Sequence, residues 1–133
     1  MRYLFDTNIC IYLIKKRPNT VLERFRQESP QDVAISSITL FELRYGIEKS
    51  KYKKRSENAL EKFLLPLNLI DLDRSAATEA AIIRAQLEKK GMPIGPYDLL
   101  IAGIARSRSM TLVTSNTKEF KRVTGLHVEN WAE

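Results

Sequence analysis

Asp6, Glu42 and Asp98 are the side chains of this 133-residue sequence best placed to do chemistry. Asp6 follows the apolar run Tyr3-Leu4-Phe5, and Glu42 ends the stretch Ser36-Ser37-Ile38-Thr39-Leu40-Phe41-Glu42. Asp98 sits within Pro96-Tyr97-Asp98-Leu99-Leu100-Ile101. A fourth polar group, Thr114-Ser115-Asn116, ends another apolar run, with Glu119 one turn further on. All three acids stand in apolar sequence rather than on a charged face. A carboxylate in such surroundings is costly unless it is paired or metal-bound. Three converging carboxylates also repel one another and raise each other's pKa values. A hard divalent cation relieves both problems, and Mg²⁺ and Mn²⁺ prefer oxygen ligands. The pattern therefore reads as a carboxylate-held centre for one or two such ions.

Each acid has a structural use as well. Asp6 is a good helix N-cap, and Thr39-x-x-Glu42 matches a capping box. Asp98, just inside a helix that starts at Pro96, complements the helix dipole. Asp71 and Asp73 read as turn and cap residues. Taken singly, none of the three acids separates these uses from catalysis; their combination favours a metal site.

Composition narrows the chemistry further. One histidine, His127, excludes multi-histidine metal centres and mechanisms that need two imidazoles, and reads as structural. One cysteine, Cys10, excludes an internal disulfide framework. The formal net charge of +6 suits a polyanionic partner. The acid at position 6 breaks any leader-like apolar run at the N-terminus, and no stretch approaches the roughly 18 apolar residues of a spanning helix. The expectation is a soluble, cytoplasmic protein with no membrane partner.

The elements that must position these groups alternate along the chain. Short β-branched runs predict strands at Arg2–Phe5, Asp32–Ser36, Asn68–Leu72, Met110–Thr114 and Leu126–Glu129. Helical patterns fill the intervals: Thr7–Lys16, a segment after Pro18, Thr39–Ser50, about Ser56–Leu65, Ser75–Lys90 ending at Gly91, and Gly95-Pro96 onward to about Ser109. This alternation predicts one α/β domain over residues 1–133, a central parallel sheet of four to five strands flanked by helices. Ligands of such sheets bind beyond the carboxyl ends of the strands, where the acids fall.

In order and spacing, Asp6-Thr7-Asn8, Ser37-x-Thr39-x-x-Glu42-Leu43, Tyr97-Asp98-x-x-Ile101-Ala102 and Thr114-x-Asn116-x-x-x-Phe120 resemble a PIN-domain ribonuclease. Gly95-Pro96 and the ending Gly125-Leu126-His127-Val128-Glu129-Asn130-Trp131 resemble in particular the VapC toxins of bacterial toxin–antitoxin pairs. The resemblance covers essentially the whole chain. It implies Asp6, Glu42 and Asp98 as Mg²⁺ or Mn²⁺ ligands and Asn116 at a fourth catalytic position that is often Asp in the family. Glu119 could replace that missing charge, and Thr7, Asn8, Thr39 and Ser115 offer groups to orient the ligands. It further implies metal-assisted hydrolysis of RNA, of tRNA or rRNA, leaving 5′-phosphate and 3′-hydroxyl ends. A homodimer and a groove for a VapB-type antitoxin complete what it implies.

Two basic groups are candidates for RNA phosphates. Lys118, Lys121 and Arg122 flank Asn116, and Lys49, Lys51, Lys53, Lys54 and Arg55 crowd one seven-residue stretch. Such contacts give affinity without sequence information. Among rival readings, a haloacid-dehalogenase-like phosphatase needs an acid where Asn8 stands. A receiver domain finds only Asp71 as a foothold. A non-catalytic PIN-like RNA-binding or interaction module keeps the fold and the basic surface without metal.

Overall fold

A computed structural model describes all residues, Met1–Glu133. Five short strands, β1 (Tyr3–Phe5), β2 (Val33–Ser36), β3 (Asn68–Ile70), β4 (Thr111–Val113) and β5 (His127–Glu129), form one parallel sheet in the order β3-β2-β1-β4-β5. Seven helices surround it: α1 (Thr7–Lys15), α2 (Asn19–Arg26), α3 (Ser37–Glu48), α4 (Lys53–Leu64), α5 (Arg74–Lys89), α6 (Pro96–Ser107) and the short α7 (Thr117–Phe120). A single 3₁₀ turn, Pro30–Asp32, leads into β2. No helix is long and apolar enough to cross a membrane.

The period-2 alternation of the strands sorts the core into two layers. Tyr3, Phe5, Val33, Ile35 and Val113 point to one face, where they meet Ile9, Leu43, Leu60 and Trp131. Leu4, Ala34 and Leu112 point to the other, against Ile83, Ile101 and Phe120. With β1 in the centre and buried on both faces, its residues are uniformly apolar, as doubly covered parallel strands must be. The chain order reverses between β1 and β4, which makes that crevice the topological switch point.

The predicted strands and the six main helices all form, with ends shifted by one to three residues. Two differences have physical reasons, and a third has a consequence for the basic stretch. Helix α1 stops at Lys15 because Lys16 turns left-handed, with φ 59°. Helix α3 begins at Ser37 rather than Thr39, because the Ser36 hydroxyl accepts the Thr39 N–H at 3.0 Å. The capping box expected of Thr39 and Glu42 therefore does not form, and Glu42 is released for another partner. Helix α4 begins at Lys53, three residues early, so Lys53, Lys54 and Arg55 occupy a helix first turn without any acid there. Gly91 ends α5 as expected, in the left-handed region at φ +68°.

Candidate active site

Asp6 leaves β1 at the switch point and caps α1. One of its carboxylate oxygens accepts the Ile9 N–H at 3.0 Å, and the other accepts the Thr114 hydroxyl. The capping role and the site role are therefore held by one side chain, one oxygen facing the helix and the other the crevice. The carboxyl is only 5% exposed. Burial pushes its pKa above the ordinary value, the bonds from Thr114 and Ile9 oppose that, and the charge of Glu42 adds to it.

Thr114 is named from the sequence only as part of the Thr114-Ser115-Asn116 group, with no role of its own. It is fully buried at the end of β4, beside Asp6, because Phe5 pairs with Val113 in the sheet. Its oxygen also accepts the Asn116 N–H at 2.9 Å, which fixes the turn leading into α7. A threonine directly after a strand carries no distinctive signal; only the β1–β4 register gives it this role. Thr114→Val keeps the shape and removes the donor to a buried acid. It should cost about 1.5–3 kcal/mol, measured by chemical denaturation at neutral pH.

Glu42 lies half-buried in the second turn of α3 and accepts the Thr7 hydroxyl at 2.7 Å. The Thr7 and Thr39 hydroxyls are 3.2 Å apart, so these two threonines form a polar link between α1 and α3. Asn8 is exposed on the first turn of α1, and Ser115 is half-buried in the turn after β4. Gly95 precedes α6, and a Cβ there would come 3.9 Å from an Asp98 carboxylate oxygen, an ordinary contact distance.

Asp98 occupies the first turn of α6 and is half-buried. Burial, followed by the negative charges of Glu119, Asp6 and Glu42 and a hydrogen bond with Glu119, pushes its pKa up to about 6. Four acids thus sense one another across the crevice. Asn116 directs its amide N–H to Glu119, so at the fourth position the charge comes from Glu119, one turn along. The acids form a loose cluster: no three acidic, histidine or cysteine side chains converge tightly enough to make a finished metal cage. The donors are all hard oxygens, which fit Mg²⁺ or Mn²⁺. His127 lies exposed on the edge strand β5, and Cys10, buried beside Asp6, has its thiol pKa pushed well up, chiefly by burial.

The basic candidates separate. Lys118 and Lys121 are exposed on and just after α7, next to Asn116 and Glu119. Arg122 is half-buried and donates to the Pro93 carbonyl at 3.0 Å, which ties it to the loop before α6. Residues 49–55 lie at the far end of α3, with Lys49 seven positions beyond Glu42, or about 10 Å along the axis. Lys53 there pairs with Glu48 at 3.2 Å, an exposed pair of small energetic weight.

A parallel sheet in this order gathers acids at its switch point with no imidazole among them, a set of oxygen donors at the place where α/β sheets bind ligands. Comparison with known proteins gives the family. Residues 3–126 match the PIN domain. The chain is 46% identical over 132 residues to the tRNA(fMet)-specific endonuclease VapC of Shigella flexneri, covering 99% of each protein. It is 44% identical to Ribonuclease VapC2 of Haemophilus influenzae, covering 98% of each. Among solved structures it resembles DNA-bound VapBC from Salmonella typhimurium, at TM-score 0.93 and 44% identity, with 98% of each chain covered. It also resembles VapBC2 from Rickettsia felis bound to a promoter DNA fragment, at TM-score 0.92 and 43% identity, covering 98% of this chain and 99% of that one. The chain belongs to the PIN-domain family and, within it, to the VapC ribonucleases.

Proposed function

We propose that this VapC-type endoribonuclease cuts RNA at the crevice between β1 and β4, with Asp6, Glu42 and Asp98 holding a divalent cation and Glu119 contributing charge beside them. The observation that carries the reading is the gathering of four oxygen-bearing acids at the switch point. Burial and like charge hold Asp98 at a pKa of about 6 there. A bound Mg²⁺ or Mn²⁺ would supply the charge that makes water a nucleophile and neutralises the phosphate. The protein's own part is positional. Thr114 and the α1 N-terminus fix the Asp6 carboxylate, and Thr7 fixes that of Glu42. Asn116 holds Glu119 toward the cleft. Asn8, Ser115 and Thr39, the last buried behind Thr7, are the further orienting groups of this reading. Lys118, Lys121 and Arg122 offer cations to the RNA backbone on the α7 side, and residues 49–55 do so further along α3.

The named substrate of the Shigella flexneri relative makes a transfer RNA the first substrate to test. Purified chain, freed of any bound antitoxin, should cleave tRNA in Mg²⁺ or Mn²⁺, stop in EDTA and resume when metal is restored. Products should carry 5′-phosphates, read by ligation. Cleavage that persists in EDTA would overturn the metal reading, and binding without cleavage in metal would favour a non-catalytic module.

The second part of the reading is neutralisation by an antitoxin. Leu13, Ile14 and Phe63 line a groove of about 510 Å³ between α1 and α4, edged by Lys16, Arg55 and Lys62. Its apolar floor and cationic rim suit an amphipathic segment with acidic edges. The similar solved structures are VapBC complexes, which supports a VapB-type partner here.

A further inference from the structure

Three large aromatic side chains stand out in water beside the acidic crevice. Phe41, Tyr45 and Tyr97 are 52%, 57% and 45% exposed, whereas Tyr3, Phe5, Phe120 and Trp131 are buried. Phe41 and Tyr97 form an edge-to-face pair with ring centres 5.5 Å apart at 67°. Each immediately precedes a cleft acid, Phe41 before Glu42 and Tyr97 before Asp98. The pair therefore marks the rim where α3 and α6 pack against one another. Tyr45 and Lys49 continue the same face of α3 at four-residue steps. The Lys49 ammonium lies 5.0 Å from the Tyr45 ring centre. An exposed row of π-faces thus runs from the carboxylates to the basic turn at residues 49–55, over about 12 Å of helix between Phe41 and Lys49.

We infer that Phe41, Tyr97 and Tyr45 are a stacking platform for unpaired RNA bases next to the cleaved bond, with Lys49 and the basic turn taking the phosphates that follow. The inference rests on the ribonuclease reading and deepens it. RNA recognition acts chiefly on loops, bulges and ends, whose bases stack on aromatic side chains. Stacking tolerates any base, because every base has a π-face. The platform thus selects for unpaired structure near the scissile phosphate, leaving choice of sequence to other contacts. The row ends at Lys49 and a turn crowded with cations, which a polyanion complements.

The test compares wild type with Phe41→Leu, Tyr97→Leu and Tyr97→Phe on bulk tRNA in Mg²⁺. Each protein is also weighed by light scattering and checked by circular dichroism. The leucine variants should raise KM about tenfold each while kcat changes little, and Tyr97→Phe, which keeps the ring, should raise it less than Tyr97→Leu. Molar mass should be unchanged. A binding measurement that does not depend on turnover accompanies this: fluorescence anisotropy of labelled single-stranded oligouridine in EDTA. Phe41→Leu should weaken that binding about tenfold, and should make no difference to binding of the same oligomer with abasic positions. Unchanged KM and unchanged oligouridine binding would overturn the platform while leaving the nuclease reading intact. A molar mass that falls in step with activity would assign the face to a second copy instead. Wild type that cleaves no RNA would remove the nuclease reading and this inference together.

Discussion

Asp98→Asn should abolish RNA cleavage and, in metal-free protein at neutral pH, raise the melting temperature. The two effects have one cause. Burial and the charges of Glu119, Asp6 and Glu42 hold the Asp98 carboxyl at a pKa of about 6, against an ordinary 3.8. Between those values the folded chain binds more protons than the unfolded one, so stability falls as pH rises through the interval. It stays lower above about pH 6, where Asp98 is ionised in both states. Asparagine keeps the shape and removes the charge. The variant should melt higher than wild type at neutral pH, and the gap should close as pH falls below the ordinary carboxylate range. Saturating Mg²⁺ should raise the wild-type melting temperature and leave the variant nearly unmoved, because a ligand stabilises only the state that binds it. Activity should fall by about 100–1,000-fold or more, in the range for removing one preorganised electrostatic group. A variant that melts lower than metal-free wild type at neutral pH would show that Asp98 is a structural cap. Full activity would remove it from the site.

The second large effect is expected far from the chemistry, at Gly103. A Cβ added there would lie 2.7 Å from the Ala76 carbonyl oxygen, 2.7 Å from the Ala80 Cβ and 2.9 Å from the Ala80 nitrogen. Two of those three atoms are backbone, so no rotamer change relieves the clash, and α6 must move off α5. Gly103→Ala should cost about 3 kcal/mol or more, at the upper end for overpacking. That is a large fraction of the roughly 5–15 kcal/mol that holds a domain together. Because α6 carries Asp98 on its first turn, the same displacement should lower cleavage by whatever Gly103→Ala protein remains folded. Denaturant titration and kcat/KM of that protein measure the two effects. Adding Ala80→Gly should recover only part of the loss, since the Ala76 carbonyl and the Ala80 nitrogen remain in place. A Gly103→Ala protein as stable as wild type would mean that the helices separate at little cost.

What the sequence discloses differs from element to element. The strands are legible because an apolar, β-branched run buried on both faces has few other readings, and the acids are legible because each interrupts such a run or stands just beyond it. Thr114 is not, since its partner lies 108 positions away and only the sheet register brings it to Asp6. The short α7, too brief to show periodicity, conceals how Asn116 and Glu119 work together. Thr39 and Glu42 match a local motif, but Ser36 wins the competition for the Thr39 N–H, and Glu42 turns to a threonine on another helix. Local motifs name the residue types correctly here; long-range pairing decides what those residues do. The basic stretch at 49–55 is as plain in sequence as any feature, and the predicted helix over Thr39–Ser50 already puts it at the end of α3; the structure adds that α4 starts within it, at Lys53.

The central place of β1 has a consequence for how the protein is made. The first strand synthesised pairs with β2 on one side, but its other edge waits for β4, residues 111–113, near the end of the chain. Until that late strand is inserted, Asp6 lacks its Thr114 partner, and until α6 has been translated it faces no Asp98. Contacts of such long sequence separation form late, after the loop-closure entropy has been overcome. A ribosome-bound nascent chain therefore carries half of a crevice and no complete acid cluster. The proposed cutting centre is assembled only after residue 114 has been made, so a nascent chain that stops short of it should be inert toward RNA.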